Sequence, residues 1–259
     1  MQIVRISAGE ITKYGIIEGD IIRGFRGSPF PSPDGQDSPF EADGSSYTLA
    51  DVKLLAPCTP SKLVCLGLNY RSHAEEVKIP EPETPLIFLK PSTAVIGPDD
   101  SIVLPPGSRR VDYEAELGVV IGKNARFVPE EKAYDYVLGY TCVNDVTERY
   151  NQRDDGQWTR AKGYDTFAPL GPCIDTGIDP GNLLVEAYLN GELRQSARTG
   201  DLIFGIPTLI HFITGVMTLL PGDVIATGTM SGIGRMNNGD KVEVRIEKIG
   251  TLKNHVVSQ

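Results

Sequence analysis

A chain of 259 residues, 40% hydrophobic and 23% charged, has the size and composition of a folded globular protein, which excludes a disordered tail or a fibrous repeat. Its 34 Asp and Glu against 25 Lys and Arg leave a net charge of −9, which repels phosphate backbones and anionic membranes and argues against nucleic acid as a partner. The cysteines Cys58, Cys65, Cys142 and Cys173 form no C-x-x-C, and His73, His211 and His255 form no H-E-x-x-H, so reduced buried thiols and no structural zinc are expected.

The N-terminus MQIVRISAGEITKYG lacks a basic region followed by an apolar one, so no secretory signal is visible and a cytoplasmic location is expected. Residues 2–6, 13–17 and 20–25, rich in Ile, Val and Tyr and separated by glycine turns, predict a small meander of strands. Residues 27–46 shift to Pro, Gly, Ser and Asp and predict a long loop. Together these form a small N-terminal β subdomain at 1–53, ahead of a main domain at 54–259. There, strands are expected at 63–66, 86–89, 116–121, 137–142, 185–189, 223–226 and 241–246, and helices only near 73–77, 130–136 and after Pro207. Without regular alternation of strand and helix, the class is α+β and β-rich rather than Rossmann or TIM barrel. Residues 202–220 are nearly uncharged, but Pro207 suits a first helical turn, so a buried helix running to about Leu219 is expected instead of a membrane span.

Glycine-rich stretches do not make phosphate loops. Gly118 and Gly122-Lys123 have the wrong spacing for a Walker loop, and 228–234 lacks a lysine and a following helix, so it reads as a turn between strands. Acidic residues carry more chemistry. On a strand, Glu114 and Glu116 lie two apart and share a face. A solvent-facing pair would be unremarkable, whereas a desolvated pair repels and suits a hard divalent cation. Asp145 follows the strand at 137–142 and offers a third carboxylate, or alternatively a helix N-cap. His73 and Glu76 sit three apart on one helical turn, where a carboxylate can fix the imidazole tautomer for activating water; a solvated surface turn is the alternative. Pro80, Pro82 and Pro85 then mark an exposed segment suited to a lid.

Six motifs in one order carry a family resemblance: G-x-N-Y-x-x-H-A-x-E at 67–76, FLKPS at 88–92, E-x-E-L-G at 114–118, N-D-V-T at 144–147, AKGYDTFAPLGP at 161–172, and P-G-D with T-G-T and G-I-G within 221–234. Across roughly residues 54–257 the chain resembles the fumarylacetoacetate hydrolase family. The resemblance implies a mixed β-sandwich roll, a homodimer, and one Mg²⁺ or Mn²⁺ ion, with Ca²⁺ able to stand in within a crystal, that binds a small 2-oxo or diketo acid. By the same resemblance, Glu114, Glu116 and Asp145 match the metal ligands, His73 and Glu76 the water-activating dyad, and Lys162 the lysine on the substrate's keto or enolate oxygen. Arg149, Gln152 and Thr229 match substrate-side polar residues. Two departures bear on pocket shape: Met230 stands where the family has proline, and Glu148 and Tyr150 flank Arg149.

The implied activity is hydrolysis of a carbon–carbon bond in an acylpyruvate-type diketo acid. An isomerase or decarboxylase of a 2-oxo dicarboxylic acid on the same platform is the alternative, and a non-catalytic binder of metal and keto acid is the third.

Overall fold

A computed structural model describes residues 1–31 and 40–259 of the chain. In those residues strands dominate and gather into three sheets. The largest begins with the antiparallel meander Gln2–Ala8, Ile11–Glu18, Ile21–Arg26 and Glu41–Thr48. Gln2–Ala8 then pairs with Ala168–Asp175, and the sheet continues through Val137–Asn144, Ala115–Ile121, Val224–Ala226, Lys62–Gly67 and Leu86–Pro91. A five-stranded sheet runs Glu192–Arg198, Leu184–Leu189, Lys241–Ile246, Gly250–Ser258 and Ser101–Leu104. A small third sheet joins Thr147–Glu148, Val111–Tyr113 and Gly234–Met236.

The central strand Ala115–Ile121 is buried along its whole length. Leu117, Val119 and Ile121 join the core that includes Val185, Ala187, Val242 and Val244 of the five-stranded sheet. Val120, on the opposite face, packs in a second cluster with Leu63, Cys65, Val143 and Ala226. Apolar residues of both parities are what a strand covered on both faces requires, and they remove the solvent-facing reading of Glu116.

Every strand expected from the sequence is present, with ends shifted by a few residues. Several elements depart from expectation. The loop read at 27–46 gives way to strand Glu41–Thr48, while its stretch 32–39 lies outside the described residues. Glu130–Tyr136 is a 3₁₀ helix, with Lys132 N donating to Pro129 O at 3.0 Å, not an α-helix. The helix at Pro207 spans Ile206–Val216, ending short of 219 because Met217 turns extended and Leu219 bridges to Ala125. No helix among the described residues is long and apolar enough to cross a membrane. Two helices that the sequence did not announce, Arg149–Asp155 and Thr159–Lys162, follow the small sheet, and the expected short helix is Arg71–Val77.

Candidate active site

Glu114 sits at the hinge where the chain leaves Val111–Tyr113 in the small sheet and enters Ala115–Ile121 in the large one. The antiparallel register Ala115↔Asn144 puts it across from Asp145, and two bonds fix that placement. Glu114 N donates to Asn144 Oδ1 at 3.0 Å, and Asp145 N donates to Glu114 O at 2.9 Å. One carboxylate oxygen each from Glu114, Glu116 and Asp145 lies within 4.8 Å of the others, and all three residues are buried.

Buried carboxylates need partners. Lys162 Nζ donates to Glu114 Oε2 at 2.9 Å and Asp145 Oδ2 at 2.5 Å. Lys90, fully buried, bonds Asp145 Oδ1 and donates to Val146 O at 2.9 Å. Arg149 pairs with Glu114 at 2.6 Å and Asp112 at 2.8 Å, and donates to Gln152 Oε1 at 3.0 Å. Burial alone would raise the Glu114 carboxyl, but the charges of Lys162 and Arg149 outweigh it and hold the group below the usual carboxylate range. For Lys162 burial pulls the ammonium down, yet Asp145 and Glu114 keep it above the ordinary lysine value.

Glu116 is treated differently. Its Oε2 accepts from Gly228 N at 2.7 Å, while Oε1 is buried with no hydrogen-bond partner among the described residues. Burial, then the charges of Asp145 and Glu114, push its carboxyl well above the usual range. An unsatisfied carboxylate oxygen beside two more carboxylates is the donor set of a hard divalent cation, so these residues fit Mg²⁺ or Mn²⁺. The alternative reading of Asp145 as an N-cap does not hold. Helix Arg149–Asp155 is capped by Glu148, which accepts from Asn151 N at 2.6 Å, and the oxygens of Asp145 are held by lysines.

His73 Nδ1 lies 3.0 Å from Glu76 Oε2, and Glu76 Oε1 accepts from Gly232 N at 2.9 Å. The imidazole is buried while Glu76 is exposed, so the pair reaches from the surface inward and only its histidine departs from the solvated reading. The stretch 228–232 therefore touches Glu116 at one end and Glu76 at the other. A cavity of about 290 Å³ is lined by His73, Glu114, Arg149, Gln152, Lys162 and Thr229. Phe88 and Trp158, packed edge to face with centroids 5.2 Å apart, form part of its apolar wall, and the Lys162 ammonium lies 4.8 Å from the Phe88 ring centroid. Thr229 Oγ1 donates to Ala115 O at 2.9 Å.

Of the nine residues singled out from the sequence, six line this cavity; Glu116 and Asp145 lie beside Glu114, and Glu76 is joined through His73. Sequence reasoning missed three that hold them: Lys90, Asp112 and Gln195. A lysine inside the apolar run LIFLKP was the available signal for the first; nothing local marks the other two.

The family model described as "Fumarylacetoacetate (FAA) hydrolase C-terminal" matches residues 62–257, and one described as "Rv2993c-like, N-terminal" matches residues 1–57. The chain is 41% identical to the oxaloacetate tautomerase Fahd2a, mitochondrial, of Rattus norvegicus, over 80% of this chain and 70% of that one. Among solved structures, 5-carboxymethyl-2-hydroxymuconate delta-isomerase from Mycobacterium smegmatis superposes with a TM-score of 0.92 at 44% identity, covering 100% of both chains. Maleylpyruvate hydrolase from Sphingobium sp. SYK-6, in complex with manganese(II) and pyruvate, gives a TM-score of 0.81 at 33% identity, over 100% of this chain and 99% of that one.

Proposed function

The chain belongs to the fumarylacetoacetate hydrolase family, and from that premise we propose that it is a divalent-metal-dependent enzyme that cleaves a carbon–carbon bond of an acylpyruvate-type diketo acid with water. The observation that carries this reading is that His73, paired with Glu76, lines the same cavity as Glu114 and Lys162. Glu114, Glu116 and Asp145 would hold Mg²⁺ or Mn²⁺. When bound, such an ion supplies positive charge that attracts a 2-oxo acid and stabilises negative charge developing on its keto oxygen.

The chain's own residues do the rest. With Nδ1 turned to Glu76, the neutral imidazole of His73 keeps Nε2 as its basic nitrogen, which takes a proton from water as the water adds to the acyl carbonyl. Lys162 donates to the oxygen on which enolate charge develops as the carbon–carbon bond breaks. Protonation of that enolate gives pyruvate, and the acyl fragment leaves as a carboxylic acid. Arg149, Gln152 and Thr229 orient the substrate from the cavity wall. A subdomain at 1–53 ahead of a catalytic unit at 54–259, a homodimeric assembly and a cytoplasmic location belong to the same proposal.

A second reading, isomerisation, tautomerisation or decarboxylation at the same site, is favoured by one observation: the relatives named isomerase and tautomerase are more similar in sequence than the maleylpyruvate hydrolase. Incubating the protein and Mn²⁺ with acetylpyruvate and with oxaloacetate in ¹⁸O-labelled water separates the two. Hydrolysis yields pyruvate and ¹⁸O in the acetate; keto–enol exchange or CO₂ release without labelled acetate overturns the hydrolase reading.

A further inference from the structure

The stretch 228–232 has to be held from outside, because it contains neither helix nor strand yet meets both halves of the site. The holding group comes from the other sheet. Gln195, on strand Glu192–Arg198, is 1% exposed, and its Nε2 donates to Met230 O and to Thr229 Oγ1, both at 2.8 Å. Its Oε1 accepts from Ala115 N at 3.0 Å, between Glu114 and Glu116. The amide orientation is forced, since a carbonyl can only accept and a backbone N–H can only donate. Thr229 Oγ1 closes the ring by donating to Ala115 O at 2.9 Å.

Backbone contacts press the same segment into place. Gly232 has φ +97°, and a Cβ there would collide with the carbonyl oxygen of Arg194, the neighbour of Gln195; at Gly228, φ +98°, a Cβ would lie 2.8 Å from Asn69 Cβ. Tyr113 Oη donates to Gly232 O at 3.0 Å from the residue preceding Glu114. The segment therefore has one fitted position between Gln195 and the carboxylates.

We infer that Gln195 is a positioning residue for the site: through three hydrogen bonds it locks the stretch 228–232 onto residues 114–116, so that Gly228 N aims Glu116 and Gly232 N aims Glu76. The inference rests on reading Glu114, Glu116 and Asp145 as a cation site. Gln195 touches no ligand itself, so its loss acts through the orientation of Glu116, and removal of a group that orients a metal ligand lowers affinity about 10- to 100-fold.

The experiment measures the Mn²⁺ dissociation constant and the bound-Mn²⁺ electron paramagnetic resonance spectrum for the full chain and its variants, with melting followed in EDTA. Gln195→Met should bind Mn²⁺ at least about tenfold more weakly with an altered spectrum. Thr199→Val removes two bonds just beyond the end of the same strand, to Leu183 N and Pro180 O, and should lower melting while leaving Mn²⁺ affinity and spectrum unchanged. Should Gln195→Met not fold, Gln195→Glu carries the test. Its carboxylate accepts from Ala115 N but cannot donate to Met230 O, and the same loss is expected. Parent-like affinity in Gln195→Met, or an equal loss in Thr199→Val, overturns the inference. If the parent and Glu116→Gln bind Mn²⁺ alike, the cation site itself falls, and this inference with it.

Discussion

At Glu116 one carboxylate oxygen has a backbone donor and the other has none, so the group is costly as an anion until a cation arrives. Two opposite effects follow. In EDTA, Glu116→Gln should melt at or above the parent, because a neutral amide still accepts from Gly228 N and no longer repels Glu114 and Asp145. With Mn²⁺ at a hundredfold excess over Kd the parent should gain about 2.7 kcal/mol, or roughly 5–10 °C, and the variant almost nothing. Thermal melting with and without Mn²⁺ checks both signs; an equal Mn²⁺ shift in the two proteins would place the ion elsewhere. The acids were legible in the sequence because close spacing on a strand is a local property. Lys90 and Gln195 were not, since the first is an ordinary lysine until Asp145 folds onto it, and the second lies about 80 residues along the chain from the backbone it clamps.

Strands followed from runs of Val, Ile and Leu bounded by turns, and they were the readable part of the fold. Ala168–Asp175 escaped because Pro169, Gly171 and Pro172 interrupt the pattern, although the strand is almost wholly buried. Helix Arg149–Asp155, RYNQRDD, has no apolar periodicity at all; a local Glu148 cap supports it together with the ion pairs of Arg149 to Asp112 and Glu114, and those pairs depend on tertiary neighbours. The N-terminal meander raises a test at this scale. Its strand Gln2–Ala8 extends the large sheet beside Ala168–Asp175 and also pairs with Lys53–Leu55, burying Ile3, Val4, Ile6 and Ile22. Each such side chain contributes about 1.5–3 kcal/mol. Deleting residues 1–53 should therefore lower melting by on the order of 10 °C and leave the edge of Ala168–Asp175 prone to self-association. A chain starting at residue 54 that melts within 2–3 °C of the parent, on the order of 1 kcal/mol, would make the meander an independent unit.

Over the whole molecule, four buried thiols give stability a pH dependence of definite sign. Burial pushes Cys58 and Cys173 up to about 12, and Cys65 and Cys142 are raised as well. An unfolded thiol ionises near its ordinary value of 9.0, so between pH 9 and 12 the unfolded chain sheds protons that the native chain retains. Stability is thus intact below pH 9 and declines above it. Melting should fall between pH 8 and pH 10.5, and Cys58→Ala should flatten that decline; a parallel decline in the variant would assign it to other groups. The sheet's wiring also sets an order of events during synthesis. Val224–Ala226 lies parallel to Lys62–Gly67 and antiparallel to Ala115–Ile121, so the middle of the sheet is completed by a strand from late in the chain. Parallel pairing across so long a loop is slow to form, and the segment holding Glu116 comes later still. Glu114 and Asp145 can meet as soon as residues 115–144 pair, whereas the Gly228 donor that fixes Glu116 is made more than 80 residues later, so a nascent chain leaving the ribosome gathers its acids early and orders the last of them late.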